Sequence, residues 1–499
     1  MELSQTVEPS TRPARRVRVV FLVAILILVL AALILVPRLT SDNPIAYADA
    51  KEHFQYGSTG GERISGIPYV IWKTLPVIFQ LPGGDYRSFG FLYEPGRDLP
   101  VGVSKRRYRG VDLVAVNCAV CHVTAYRAPH ETASHHAVAG PSNTVDLRAY
   151  YEFLFAAAKD SRFNAARILS QAEQSGIGED FLNRQILKFY AVNLTRTSLL
   201  DFESRLKFML DNPAFGPGRI DTFGPAKALL NFATDSRMPA SERIGTTDLP
   251  SIWYTRKRQG MQLHWDGNNT RVEERNRSAA FGTGAYPATL DRAGMRRIED
   301  FLLDASPDRY PYPIDKDRAA RGKQIYSEMC SACHGADGQT FAANQGQLGK
   351  VTPIEKIGTD RYRLDSYSPA LAVAQNLLYA ETEDPGERFS HFRKTYGYAN
   401  MPLDGLWLRA PYLHNGSVPT LQDLLEPSSK RPSSFYRGLD IYDPVKVGFA
   451  NVAEANGRKA FLYDTTKPGN GNAGHEGKEY GTTLPAADKS ALIEYLKTF

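Results

Sequence analysis

The longest hydrophobic pattern in the chain is an unbroken apolar run, VVFLVAILILVLAALILV, over residues 19–36. As a helix, its 18 residues reach about 27 Å at about 1.5 Å each, close to the hydrocarbon thickness of a bilayer. Arg12, Arg15, Arg16 and Arg18 precede it, and Pro37 and Arg38 follow. This basic cluster places the N-terminus in the cytoplasm and exports everything after residue 40. Ala46-Tyr47-Ala48 resembles a signal-cleavage site, but it lies ten residues past the run. The run is also longer than the roughly 7–15 residues of a signal core. A retained anchor in the inner membrane is therefore expected, with the working part in the periplasm. Arg15-Arg16 offers only weak support for a twin-arginine signal.

Apolar residues next recur at three- and four-residue intervals across 147–211: DLRAYYEFLFAAAKD, FNAARILSQAEQ, DFLNRQILKFYAVNL and SLLDFESRLKFML. This spacing predicts four helices. A last helix is predicted over residues 487–499, and little of the chain reads as long strand. Ser306-Pro307 through Pro311-Tyr312-Pro313 is a proline-rich break between helical segments.

Composition adds limits. Apolar residues are 42% and charged residues 23% of 499, enough to build a core and incompatible with a disordered chain. A net charge of +6, spread over this length, is too weak to indicate a nucleic-acid partner. Only four cysteines are present, so their positions matter more than their number.

All four fall in two strings, Cys118-Ala119-Val120-Cys121-His122 and Cys330-Ser331-Ala332-Cys333-His334. This is the C-x-x-C-H pattern of covalent c-type haem. Two thiols three positions apart on one helical turn reach the two vinyl groups, and the next imidazole rises under the iron. Zinc sites usually bring a second Cys or His pair close by. Redox thiols would not explain a histidine after both pairs. Two covalently bound haem c groups are thus expected, held by Cys118, Cys121, Cys330 and Cys333, with His122 and His334 as iron ligands. The expected fold class is mainly α: an N-terminal transmembrane helix plus two cytochrome-c-like haem domains, the first with a helical insertion. The expected boundaries are 1–40 for the tail and anchor, 41–305 for the first haem domain and 306–499 for the second.

A short repeat accompanies the motifs. Trp265-Asp266-Gly267 precedes Val272-Glu273-Glu274 at the same distance as His414-Asn415-Gly416 precedes Leu421-Gln422-Asp423. Ile252-Trp253 and Leu406-Trp407 stand upstream of each. The pairing reads as one haem domain duplicated.

Together these strings resemble the di-haem cytochrome c peroxidase superfamily. The closer resemblance is to the branch containing the haem-dependent rubber oxygenase. Further residues carry it: Gly66-Ile67-Pro68-Tyr69, Leu99-Pro100-Val101-Gly102, Pro250-Ser251-Ile252-Trp253, Ala410 through Ser417, and Gly474-His475. The resemblance implies periplasmic chemistry in which the N-terminal haem meets peroxide or dioxygen and the C-terminal haem relays electrons.

The sixth iron position separates a carrier from a catalyst. For the C-terminal haem the candidates are His475, which the branch resemblance favours, and Met401. For the N-terminal haem, His130, His135 and His136 lie in a polar stretch and read as surface residues. His264 and Trp265 sit in an aromatic string, and the resemblance places Trp265 in the distal pocket. An indole N–H can donate to bound dioxygen but is a poor iron ligand, so these two are the catalytic candidates. His414, Arg409 and Lys394 are candidate partners for haem propionates. The expected function is a membrane-anchored di-haem oxidoreductase, with a pure electron carrier as the alternative. Expected partners are an electron-donor or acceptor protein or the quinone pool, with a small oxidant or an organic substrate.

Overall fold

The structure, a computed structural model, describes residues 12–338, 341, 346–455 and 457–499, with side chains from residue 17 onward. Helix makes up 44% of the chain, and no strand among the described residues exceeds six residues, so the mainly α class holds.

The apolar run lies inside a helix spanning Arg12–Leu39. Within Val17–Leu39 an 18-residue window has a mean hydropathy of 3.6, and none of its residues is buried in the protein. Three residues after Leu39 the chain enters a strand, Asp42–Pro44, on the edge of a four-stranded antiparallel sheet. The sheet centres on a hairpin, Val103–Tyr108 with Val111–Val116, in the register Val103↔Val116 and Tyr108↔Val111. Its two-residue turn needs two left-handed residues, and Arg109 (φ 50°) and Gly110 (φ 78°) supply them. Asp42 pairs with Tyr108 across the edge, and Ile67 with Val114 on the other side.

The predicted helical block forms, with one difference. Leu147–Lys159 and Ala165–Gln174 appear as separate helices. The third and fourth run together: Phe181–Ile186 passes through a π turn, Leu187–Ala191, into Val192–Leu210. No glycine or proline interrupts the join at Thr195-Arg196-Thr197, and Thr195 points into the core. The block packs on the helix Tyr69–Ile78 around one core. There Trp72 stacks on Tyr86 at 4.4 Å, and its indole donates to Tyr150 Oη at 3.0 Å.

A second core draws from both halves of the chain, from Phe54 and Trp253 to Trp407, Leu492 and Phe499. The helix Lys316–Met329 packs along the last helix, Ala486–Leu496. Residues 306–313 lie in coil between Arg292–Asp304 and Lys316–Met329.

The repeat has a structural counterpart. Leu263 bridges Asn269, and Tyr412 bridges Val418, each pair enclosing a turn of the same length. Both turns take left-handed backbone at matching places: His264 and Gly267 in one, Leu413 and Gly416 in the other. The strand Thr246–Asp248 lies between them. The Asp248 carbonyl accepts from the Trp265 indole at 2.8 Å, and the Asp248 N–H donates to the His414 carbonyl at 2.8 Å. Asp248 therefore ties the two turns together.

Candidate haem sites

The first motif begins at a cap. Asn117 accepts from the Ala119 N–H at 2.9 Å and starts the single turn Cys118–Cys121. Its amide nitrogen donates to the Gly57 carbonyl at 2.9 Å, pinning the turn to the C-terminal end of the helix Ala50–Tyr56. Gly102 comes so close that an added Cβ would sit 2.3 Å from the Val120 nitrogen. His122 follows at once and donates from Nδ1 to the Pro250 carbonyl at 2.9 Å. That bond leaves the Nε2 lone pair free for a metal. Burial, then Arg275, push the ring down to about 4, so it is neutral. Burial also raises Cys118 to about 11 and Cys121 to about 12.

These residues line a cavity of about 250 Å³ whose wall is mostly apolar. Met261, Leu263, Phe281 and Ile298 form part of it, with His264 and Trp265. His264 is held by Asn268 Oδ1 at 2.7 Å, and burial pushes it down to about 4. Trp265 lies on the wall, and its N–H is engaged by the Asp248 carbonyl. The indole donor expected to face dioxygen is therefore already in use.

Sequence reasoning missed the cavity's arginines. Arg275 is buried on the helix Val272–Gly282, and burial, then Arg258, lower it to about 10. Its guanidinium bonds only Asn276 Oδ1, at 2.8 and 3.2 Å, and it makes no ion pair among the described residues. Arg258 also lines the cavity and donates to Asp404 at 2.6 Å. A buried cation with no carboxylate in contact among the described residues, beside a haem-attachment motif, suits a ligand that brings its own carboxylates, as haem does in its propionates.

The second motif caps the helix Lys316–Met329 and forms a short helix, Ser331–His334. His334 donates from Nδ1 to the Met401 carbonyl at 2.7 Å. Across from it stands His475, with 6.3 Å between ring centres. A metal–imidazole bond of about 2 Å and about 1.1 Å from nitrogen to ring centre, counted twice, also give about 6.2 Å. The gap thus fits one iron. His475 sits in left-handed backbone at φ 49°, and Arg431 clamps its loop by donating to the carbonyls of Asn472, Gly474 and His475. The buried His475 Nδ1 has no hydrogen-bond partner among the described residues, and burial, then His334, push the ring down to about 3.

Met401 lies elsewhere. Its carbonyl holds the Nδ1 side of His334, and Asn400, Met401 and Pro402 line the cavity around His122. Among the described residues no other histidine ring stands as close to His122 as His475 does to His334. The remaining candidates are spoken for. His414 stacks on Tyr398 at 4.0 Å, Arg409 pairs with Asp404 at 2.7 Å, and Lys394 donates to the Leu364 carbonyl. His135 is exposed, and His136 lies 3.5 Å from Glu94.

These features are similar to the haem-attachment sites of c-type cytochromes. Residues 319–388 match the model for the cytochrome c family, and residues 397–436 match the one described as RoxA-like, cytochrome c-like. The chain is thus similar to the RoxA-like branch of c-type cytochromes. Two Sinorhizobium fredii proteins, described as uncharacterized proteins y4iM and y4iJ, are 32% and 33% identical to it. The alignments cover 50% and 40% of this chain, and 64% and 42% of those proteins.

Proposed function

We propose that the protein is a membrane-anchored oxidoreductase carrying two covalent haem c groups, in two haem domains at about 41–305 and 306–499. It activates peroxide or dioxygen in the cavity beside His122 and passes electrons through the site between His334 and His475. The observation that carries this reading is the asymmetry of the two sites. One histidine faces a second imidazole across a metal-sized gap; the other faces a mostly apolar cavity. When bound, haem iron supplies the redox chemistry, and a strong sixth ligand suits relay while an open position suits a small oxidant.

The chain's own residues divide the remaining work. Cys118 and Cys121, with Cys330 and Cys333, fasten the two groups. Pro250 and Met401 orient the proximal rings. Arg275 offers a counter-charge to propionates. Leu263, Phe281 and Ile298 exclude water. His264, neutral and fixed by Asn268, is placed to accept a proton from a small oxidant, and Trp265 shapes the wall. The partner is an electron-donor or acceptor protein or the quinone pool.

Retention of the anchor in the inner membrane, with both haem sites in the periplasm, is supported by what cleavage would remove. Asp42, ahead of Ala46-Tyr47-Ala48, pairs with Arg63 at 2.5 Å and with the buried Arg106. Arg38 pairs with Asp180 at 3.1 Å.

The test is His475→Ala, followed by optical and EPR spectra of the oxidised, half-reduced and fully reduced protein. The expected wild type has one low-spin haem and one that binds carbon monoxide or cyanide. In the variant the low-spin signal becomes high-spin. Two low-spin haems that ignore all ligands in every redox state would instead make the protein an electron carrier.

A further inference from the structure

Large apolar side chains gather on the helical block close to where the anchor helix ends. Along Phe181–Leu210 the buried side is Asn183, Leu187, Ala191, Val192, Thr195 and Leu199. Away from it project Phe181, Phe189, Tyr190 and Leu194, which are 77%, 69%, 63% and 49% exposed. Single exposed apolar residues are ordinary, but four within fourteen positions of one helical path form a patch. The π turn at Leu187–Ala191 leaves two consecutive aromatics, Phe189 and Tyr190, facing outward.

The neighbouring anchor indicates what covers them. Arg38, in its last turn, donates to Asp180 at 3.1 Å, to Asn183, and to the Gly110 carbonyl at 3.5 Å. Asp180 is the N-cap of the helix that starts at Phe181. The link to the body is short, because Asp42–Pro44 pairs with Arg106–Tyr108 just past Leu39. The end of the anchor is therefore fixed against this helix. Phe189 lies only about 13 Å further along the axis at about 1.5 Å per residue. Lys188 lies 5.2 Å from the Phe189 ring, and exposed Arg109 stands at the hairpin tip beside Gly110, whose carbonyl Arg38 holds.

We propose that this face rests in the headgroup–acyl boundary of the bilayer that the anchor crosses. Phe181, Phe189, Tyr190 and Leu194 enter the apolar edge, and Lys188 and Arg109 meet lipid phosphates. Aromatic rings and basic residues are the usual occupants of that layer. The inference rests on the anchor being retained.

The full-length holoprotein, in phosphatidylethanolamine–phosphatidylglycerol nanodiscs, tests it. p-Benzoylphenylalanine replaces Phe181, Phe189 or Tyr190, one at a time. Val29 within the anchor and Val445, 75% exposed on a distant hairpin, serve as references. After illumination, peptide mass spectrometry is expected to find phospholipid adducts at positions 29, 181, 189 and 190, and none at 445. Adducts at 29 alone overturn the docking face and leave the anchor standing. No adduct at 29 removes the anchor and this inference together. Cross-links from 189 to a second protein chain overturn the lipid assignment.

Discussion

Asp404 is the carboxylate on which the two halves of the chain converge, and replacing it by asparagine should be costly. It is fully buried and accepts from Arg258 at 2.6 Å and from Arg409 at 2.7 Å. At an effective dielectric of about 20, each contact is worth about 6 kcal/mol of Coulomb attraction. Desolvation and repulsion between the two guanidiniums offset much of that. Asp404→Asn keeps the shape but leaves two buried cations facing a neutral amide, a change that typically costs about 3–5 kcal/mol. At about 2–4 °C per kcal/mol for a domain of roughly 150–250 residues, the melting temperature should fall by about 6–20 °C. The control uses the same chemistry in water. Asp304 pairs with Arg256 at 2.7 Å, with side chains 71% and 60% exposed, so Asp304→Asn should leave the melting temperature nearly unchanged. Thermal unfolding of the holoprotein, followed by Soret circular dichroism, measures both. Equal shifts for the two variants would refute the claim that burial decides.

Two further outcomes follow from the described geometry. Hydrogen bonding by His136, with help from Tyr56 and Gln55, depresses Glu94 from 4.5 to about 2. A depressed carboxylate stabilises the fold above its unfolded pKa, and this is lost as pH falls through the folded value. Glu94→Gln should therefore cost about 2 kcal/mol at pH 7, with the gap to wild type closing between about pH 4.5 and pH 2; denaturant titrations across that range check it. Gly102→Ala puts a methyl group 2.4 Å from the Val120 Cα at φ +88°. It should cost about 2 kcal/mol or more and reduce haem attachment at Cys118 and Cys121 while sparing Cys330 and Cys333, as read by mapping of haem-bearing peptides.

Some of this architecture was open to sequence reading and some was not, for physical reasons. The anchor and the block at 147–211 declare themselves because their signal is local periodicity. The attachment motifs do so because both thiols and the imidazole sit on one turn. The edge strand Asp42–Pro44 has no such pattern; its partners are sixty-odd residues away, and it is held by buried Arg106. Pro250 and Met401 act through backbone carbonyls, which carry no residue signature. Arg275 looks like any helix-surface arginine until burial removes its water. Trp265 shows the opposite limit: its type advertised a donor, and the Asp248 carbonyl, seventeen residues upstream, had already taken it.

Asn400, Met401 and Pro402 wall one pocket, and the Met401 carbonyl also tethers the imidazole of the other. Neither pocket is therefore re-sculpted in private. A library selected for a roomier first chamber at this wall will drift in the electronic properties of the second, and screening for one trait alone will conceal the trade.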